Sequence, residues 1–181
     1  HFPPNTSYYF LMLEDGSDHR YVVWNTPLEP GSILTAPILQ NPPRNKGVFG
    51  VITSRIAQSS DVKIAFQGTF NHDDPTKIDE LPYFISSQIT PINPFRDQTW
   101  KWEMEMIVNS NKNEVLDMPK FHFIKKPAPR AGYFTLHSPF DDSTILAVNQ
   151  DSNAPIMNQI IAIPFSERNG VLYEFTLHPF P

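Results

Sequence analysis

The sequence contains two groups of residues whose side chains could carry out acid–base or metal chemistry. His72, Asp73 and Asp74 are consecutive and are followed by a proline, a composition typical of a turn. Glu103 and Glu105 alternate with large apolar residues, as expected on the solvent-facing side of a strand. The chain has no Gly-x-Ser-x-Gly, His-Glu-x-x-His or Gly-rich phosphate-binding motif, and it has no cysteine. We therefore expect a protein that is not an enzyme and that uses no metal or cofactor.

The histidine at position 1 offers one alternative to this expectation. A free N-terminal histidine can bind copper through its amine and imidazole, as in lytic polysaccharide monooxygenases, and His72, His122 or His137 could supply a second ligand. The internal repeat described below fits that family poorly, and so does the absence of cysteine. A copper enzyme therefore ranks third, behind two kinds of binding protein.

Composition restricts the classes of partner. The 181 residues carry a formal net charge of -5 without a strongly basic segment, which argues against nucleic acids and anionic membranes as partners. No apolar run approaches the ~18 residues of a membrane-spanning helix. Nineteen prolines against seven glycines, with 13% aromatic residues, favour strands over long helices.

The first residues indicate secretion. A chain that starts at His1 without methionine resembles a mature protein after removal of a signal peptide, although a trimmed chain would look the same. Asn5-Thr6-Ser7 is the only N-glycosylation sequon. We therefore expect an extracellular protein with Asn5 as a glycosylation site.

Period-two alternation gives the clearest element, a strand over 99–107. Trp100, Trp102 and Met104 alternate there with charged residues, which predicts one buried and one exposed face. No helix longer than two turns is predicted, so the fold class is all-β. The other predicted strands lie at 8–13, 21–25, 33–39, 48–53, 62–66, 83–86, 88–90, 121–124, 133–136, 145–149, 160–163 and 171–177.

The strands repeat in three sets. The last third matches the first strand for strand, and Phe49, Trp100 and Tyr173 align as the aromatic residues of three fourth strands. Aspartates follow each first strand, as Asp15/Asp18, Asp73/Asp74 and Asp141/Asp142. This pattern predicts a single β-trefoil domain over 1–181, with units at about 7–60, 61–125 and 126–181 and an insert at 108–131. A β-sandwich with the same number of strands is the alternative.

Gln98-Thr99-Trp100 and the aspartate turns resemble the ricin-B-type lectins, especially their fungal members. The first and last thirds depart from that family because neither contains the Gln-x-Trp motif. The resemblance implies sugar binding at the aspartate turns, where an aromatic ring and carboxylate or amide oxygens would contact the sugar. Each aspartate could instead bond its own backbone as an ordinary turn residue. The implied ligand-binding residues are Asp15, Asp18, Trp24 and Asn25 in the first unit and Asp141, Asp142 and Asn149 in the third.

Ser7-Tyr8-Tyr9-Phe10-Leu11 is similar to the opening strand of Kunitz-type trefoil inhibitors. Arg55 and Ile56 then fall where those inhibitors carry an Arg-Ile reactive bond, although the disulfides of that family are absent. The resemblance implies a protease-inhibitory loop, and an ordinary solvated arginine is the simpler interpretation of Arg55.

Together these patterns predict a secreted, non-catalytic, carbohydrate-binding β-trefoil whose partners are glycans. The alternative is a protein-binding trefoil. It would be either a protease inhibitor or a lectin-like accessory subunit of an oxidase such as laccase or tyrosinase.

Overall fold

The computed structural model describes residues 9–24, 34–41, 48–68, 83–93, 97–106, 112–154, 156–165 and 171–179. Strands dominate these ranges, which confirms the all-β prediction, and neither helix in them has the length and apolar character needed to cross a membrane. One α-helix, α1, spans Lys112–Asp117, and a 3-10 helix spans Pro119–Phe121. The strands are β1 (Tyr9–Asp15), β2 (Asp18–Tyr21), β3 (Val23–Trp24), β4 (Leu34–Thr35), β5 (Val48–Arg55), β6 (Val62–Gly68), β7 (Tyr83–Asn93), β8 (Asp97–Met106), β9 (Phe123–Pro127), β10 (Phe134–His137), β11 (Thr144–Asn149), β12 (Ile160–Pro164), β13 (Val171–Leu172) and β14 (Thr176–Pro179).

The same strand pairing recurs three times along the chain. The first strand of each set pairs antiparallel with the second, as β1 with β2, β6 with β7, and β10 with β11. A hairpin follows in each set, formed by β3–β4, β7–β8 and β11–β12. The hairpins meet one another, because β8 pairs with β12 and Thr35 of β4 bridges to Gln159. Three hairpins therefore build one cap.

The first and fourth strands of the sets form a barrel beneath this cap. β5 pairs with β6, β6 with β9, and β9 with β10. A bridge from Phe134 in β10 to Phe175 leads into β14, which pairs with β1, and β1 in turn contacts β5. A barrel capped by three hairpins is a β-trefoil, so the fold is the predicted one and not the β-sandwich alternative.

The predicted alignment of Trp100 with Phe49 and Tyr173 is wrong. Trp100 lies in β8, the third strand of its set, whereas Phe49 lies in β5, a fourth strand. The fourth strand of the second set is β9, inside the segment 108–131 that the sequence indicated as an insert. α1 and the 3-10 helix lie between β8 and β9, and Pro127 at the end of β9 and Pro129 just after it are typical of a connector.

Apolar side chains fill the barrel and both faces of β1. Leu11 and Leu13 belong to the barrel core, whereas Phe10 and Met12 pack on the opposite face of the strand. Burying each leucine or phenylalanine contributes about 1.5–3 kcal/mol before conformational entropy is counted. The barrel core comprises Leu11, Leu13, Val22, Leu34, Ala36, Ile64, Phe66, Ile85, Phe123, Phe134, Leu136, Leu146, Val148, Ile160, Ala162 and Phe175.

Candidate ligand-binding cleft

A cleft of about 450 Å³ opens on the outer face of the third strand set. β9 and β10 supply one side of it, and the ends of β12 and β13 supply the other. We call it the outer cleft. It is lined by residues 126–129, Thr135, His137, Asp142, Ser143, Phe165 and Tyr173.

Strand alternation points two of these side chains out of the barrel. Phe134 and Leu136 of β10 are part of the barrel core, so Thr135 and His137 lie on the opposite face. Thr135 is paired with Lys126 of β9, which places both side chains on the same outer surface. The cleft therefore follows directly from the register of β9 and β10.

His137 forms the floor of the outer cleft and is only 4% exposed. Its Nδ1 lies 2.8 Å from the backbone carbonyl oxygen of Asp142 and its Nε2 lies 2.8 Å from Thr135 Oγ1. A carbonyl oxygen can only accept, so Nδ1 carries the proton and donates to it. In the neutral ring Nε2 then accepts from the Thr135 hydroxyl. Both nitrogens are used inside the protein, and His137 fixes the backbone of Asp142.

Lys126 and two carboxylates carry the charge of the outer cleft. Lys126 Nζ lies 3.0 Å from Asp142 Oδ1 and 3.5 Å from Asp61 Oδ2. The hydrogen bond to Asp142 is the main cause that raises the pKa of Lys126, while burial acts in the opposite direction. The Asp142 side chain is 70% exposed, so its remaining oxygen lone pairs face solvent. Polar groups of both kinds, donor and acceptor, therefore stand at one edge of the cleft.

Two aromatic rings also line the outer cleft. The Phe165 and Tyr173 rings meet edge to face at 6.5 Å, and the Phe165 ring lies 5.4 Å from the His137 ring. The Phe165 backbone N–H donates to the Ser143 carbonyl at 2.8 Å, which holds this residue beside the β10–β11 turn. Phe165 keeps 36% of its surface exposed, so part of this residue is accessible to a ligand. The cleft thus combines an apolar platform with a polar edge.

Of the ligand-binding residues predicted in the third unit, Asp142 alone lines the outer cleft. Asp141 uses its carboxylate within the turn, where Oδ1 accepts from the Ser143 hydroxyl at 2.7 Å and Oδ2 accepts from Thr144 at 2.9 Å. These bonds, led by the one from Ser143, lower the pKa of Asp141. Asn149 likewise accepts from the Asp151 backbone N–H at 3.0 Å. The Asp141 carboxylate therefore bonds within the β10–β11 turn, and the Asn149 side chain bonds the loop that follows β11.

The residues predicted in the first unit lie elsewhere. Asp15 Oδ2 accepts from Arg20 Nη2 at 3.1 Å and from Gln150 Nε2 at 3.2 Å. Asp18 pairs with Asp15 across a turn in which Gly16 has φ +63°, a conformation that favours glycine. Trp24 ends β3, and nothing is described of its side chain. Asn25 and the glycosylation candidate Asn5 lie outside the described residues, so these two assignments stay predictions.

The predicted reactive bond lies at the base of a hairpin turn. Arg55 is paired with Val62 in the β5–β6 ladder, and the Ile56 N–H donates to the Asp61 carbonyl at 3.2 Å. The Arg55 side chain is exposed, but the backbone on both sides of the bond is paired within the protein. This arrangement differs from an extended reactive loop, and the inhibitory role stays a prediction.

Sequence reasoning missed most of the outer cleft. Thr135 and Phe165 received no role, and Tyr173 was aligned only as the aromatic residue of a fourth strand, although it is half-buried and also lines the cleft. His137 was considered only as a copper ligand. One signal for the cleft was available in the sequence. Thr135 and His137 alternate with an apolar residue, and a Pro-rich connector joins them to a charged segment with which they could pair. The described residues contain no group of three or more His, Asp or Glu side chains that could hold a metal ion.

Known proteins were compared with the chain by sequence and by structure. No protein family and no curated protein matches the sequence. The structure is similar to chicken cytokine interleukin-1 beta, with 14% identity over 96% of each chain and a TM-score of 0.56. A hydrophobic-cavity mutant of chicken interleukin-1 gives 14% identity, coverage of 96% of this chain and 95% of that chain, and a TM-score of 0.56. Likenesses at this identity show the fold alone, and the chain is a β-trefoil.

Proposed function

We propose that this protein is a non-catalytic carbohydrate-binding β-trefoil that holds a sugar in the outer cleft. The observation that carries the proposal is that Phe165 and Tyr173 line the same cleft as Asp142 and Lys126. Its volume of about 450 Å³ lies within the roughly 300–1,000 Å³ of small-molecule sites.

The aromatic and the polar groups of the cleft suit the apolar face and the hydroxyl groups of a sugar ring. A pyranose has one face of C–H groups that packs on aromatic rings, here Phe165 and Tyr173. Its hydroxyls can donate to Asp142 and accept from Lys126. Two carboxylates share the single ammonium of Lys126, so the polar edge does not favour an anionic ligand. We therefore expect a neutral sugar.

Glycan-array screening followed by isothermal titration calorimetry with the best sugar tests the proposal. Asp142→Asn keeps the shape of the side chain but removes its charge, and Phe165→Ala removes the platform. Each should raise Kd about tenfold, equivalent to about 1.4 kcal/mol. Asp18→Asn, which makes the same chemical change in the first unit, is the matched control and should leave Kd unchanged. Absence of binding at millimolar sugar, or equal loss in the control, would overturn the proposal.

A protein partner is the second candidate, because large apolar side chains are exposed on two separate connections of the third strand set. Phe140 is 64% exposed and precedes Asp141 and Asp142, while Met157 is 65% exposed before β12. Exposed residues of this kind often contact other proteins. The structural neighbour described as a cytokine has the same fold, which supports partner binding as a use of such a domain. A protease inhibitor or an oxidase subunit would be forms of this function.

Native purification distinguishes the two candidates. A stable partner should co-migrate with the wild type and be lost from Phe140→Ser, whereas sugar binding should persist in that variant. Secretion is part of both proposals. A mass shift on enzymatic deglycosylation, abolished by Asn5→Gln, is the result expected of a secreted protein glycosylated at Asn5.

A further inference from the structure

The strand β9 also presents a lysine to the inside of the barrel. Lys125 is paired with Val62 of β6 on one side and with Leu136 of β10 on the other. Leu136 belongs to the barrel core, and directly paired residues share a face, so Lys125 points to the interior side. Arg55 is paired with Val62 and continues the same row. Lys125 is therefore on the opposite face of β9 from Lys126 and the outer cleft.

Lys125 has no acidic partner among the residues that the structure describes. Its ammonium lies 5.0 Å from the centre of the buried Phe134 ring, and the side chain is half-buried. The neighbouring Lys126, in contrast, contacts two carboxylates. A half-buried ammonium without a counter-charge loses hydration and gains little in return, apart from its attraction to the ring.

A cavity of about 200 Å³ adjoins Lys125 at the end of the barrel. Val62, Pro127, Tyr133 and Phe134 form its apolar walls, and Ser60 adds a hydroxyl. Two carboxylates near this end of the barrel are already engaged. Asp61 lies 3.5 Å from Lys126, and Glu14 lies 3.0 Å from Arg130. Glu14 also accepts a hydrogen bond from the Tyr133 hydroxyl, and the pKa of Tyr133 is raised mainly by burial and further by the charge of Glu174. Among the described residues, none of these carboxylates forms an ion pair with Lys125.

We propose that this barrel-end cavity is a second ligand site, which binds a small organic carboxylate. The carboxylate would take the position of the missing counter-charge at Lys125, and a short apolar body would contact Val62, Pro127 and Tyr133. The volume of about 200 Å³ admits a single ring but not a disaccharide. The two proposed sites share Pro127 in their linings, but their charged groups, Lys125 and Lys126, lie on opposite faces of β9, so the test at Lys125 is separate from the sugar test.

NMR titration of the isotope-labelled protein with benzoate tests the proposal, with benzyl alcohol as the uncharged probe. Benzoate should shift the resonances of Lys125, Tyr133 and Ser60 and saturate in the low millimolar range, and benzyl alcohol should not. Lys125→Gln should raise the benzoate Kd at least about tenfold, a change of about 1.4 kcal/mol. Lys120→Gln makes the same chemical change on the 3-10 helix and should leave it unaltered. Lys125→Arg keeps the charge and should retain binding.

Several outcomes would overturn the site. One is the absence of shifts at the cavity residues in the folded wild type at high millimolar benzoate. Equal binding of benzyl alcohol would exclude recognition of the carboxylate charge. An equal loss of benzoate affinity in Lys120→Gln would mean that only the net charge of the protein matters. If the NMR spectrum of Lys125→Gln is not dispersed, that variant is not folded. Lys125→Arg and the comparison of benzoate with benzyl alcohol then still test whether the cavity binds a carboxylate. Failure of sugar binding in the outer cleft would not affect this result.

Discussion

Replacing Arg20 with methionine should destabilise the fold strongly, although the side chain belongs to no binding site. Arg20 is 6% exposed and joins the first strand set to the third. Its Nη1 donates to the Ala36 carbonyl at 3.0 Å and to Asn158 Oδ1 at 3.1 Å. Its Nε and Nη2 donate to Asp15 Oδ2 at 3.3 and 3.1 Å. Methionine keeps the apolar stem and removes all of these donors.

The expected loss of stability follows from the hydrogen-bond acceptors that Arg20→Met leaves without a donor. Each hydrogen bond from a charged group contributes about 1.5–3 kcal/mol, and breaking a buried ion pair costs about 3–5 kcal/mol. The Asp15 side chain is 37% exposed and also accepts from Gln150, so water can solvate it after the change. We therefore place the loss for Arg20→Met near the low end, at about 3 kcal/mol.

Urea unfolding followed by tryptophan fluorescence measures this loss. With a slope of about 2 kcal/mol per molar urea, the midpoint should fall by about 1.5 M. Asp15→Asn should couple to Arg20→Met by about 1–2 kcal/mol in a double-mutant cycle, because the two side chains share a contact. Asp18→Asn, in the same hairpin, should change stability by less than about 0.5 kcal/mol.

Two results would refute this reasoning. A loss below about 1 kcal/mol for Arg20→Met would mean that the hydrogen bonds across the two strand sets contribute little. A folded Asp15→Ala variant that has lost sugar binding would mean that Asp15 is the ligand-binding residue that the sequence predicted. With the contacts described, Asp15→Ala should lose stability and keep its affinity for the sugar.

Three further predictions concern pH, charge and protease binding. Burial is the main cause that holds the pKa of His122 below its usual value, so the unfolded chain binds more protons below about pH 6.5. The contribution of neutral His122 to the free energy of unfolding is complete above that pH and is lost as pH falls through the folded-state pKa. His122→Gln should therefore reduce the acid-side fall of the urea midpoint with pH. A pH profile identical to that of the wild type would contradict this prediction. Asp142→Asn should lower the pKa of Lys126 towards its ordinary value, measured by NMR of its side chain, with Asp18→Asn as the unchanged control. Because the backbone at Arg55 is paired in a hairpin, any inhibition of trypsin by the wild type should persist in Arg55→Ala; inhibition by the wild type alone would assign the inhibitory role to Arg55.

Local pattern was sufficient for the fold class and for most strands. The alternation around Trp100 correctly marks a strand, and 62–66 and 145–149 lie within β6 and β11. Alternation of apolar and polar residues indicates which side chains share a face of a strand, because successive side chains of a strand point to opposite faces. This alternation does not indicate which other strand of the sheet pairs with that strand. The alignment with Phe49 and Tyr173 therefore placed Trp100 in the wrong strand of its set, and the strand predicted at 121–124, which overlaps β9, was placed in an insert.

The candidate sites depended on pairing across the sheet. Asp142 was identified from its turn, but Lys126 and Phe165 join it only because β9, β10 and β12 meet on the outer face. Asp141 has the same residue type and adjacent position, yet its carboxylate bonds Ser143 and Thr144. Composition and spacing cannot distinguish these two aspartates, since the difference lies in which partners reach them.

The sequence alone therefore determined an all-β chain with three sets of strands and without a recognisable catalytic motif. The tertiary structure alone decided that consecutive lysines of β9 have opposite environments. Lys126 contacts Asp61 and Asp142 on the outside, and Lys125 lies over Phe134 at the end of the barrel. The physical reason is that a strand turns adjacent side chains to opposite faces, while the charge and shape met on each face come from strands distant in sequence.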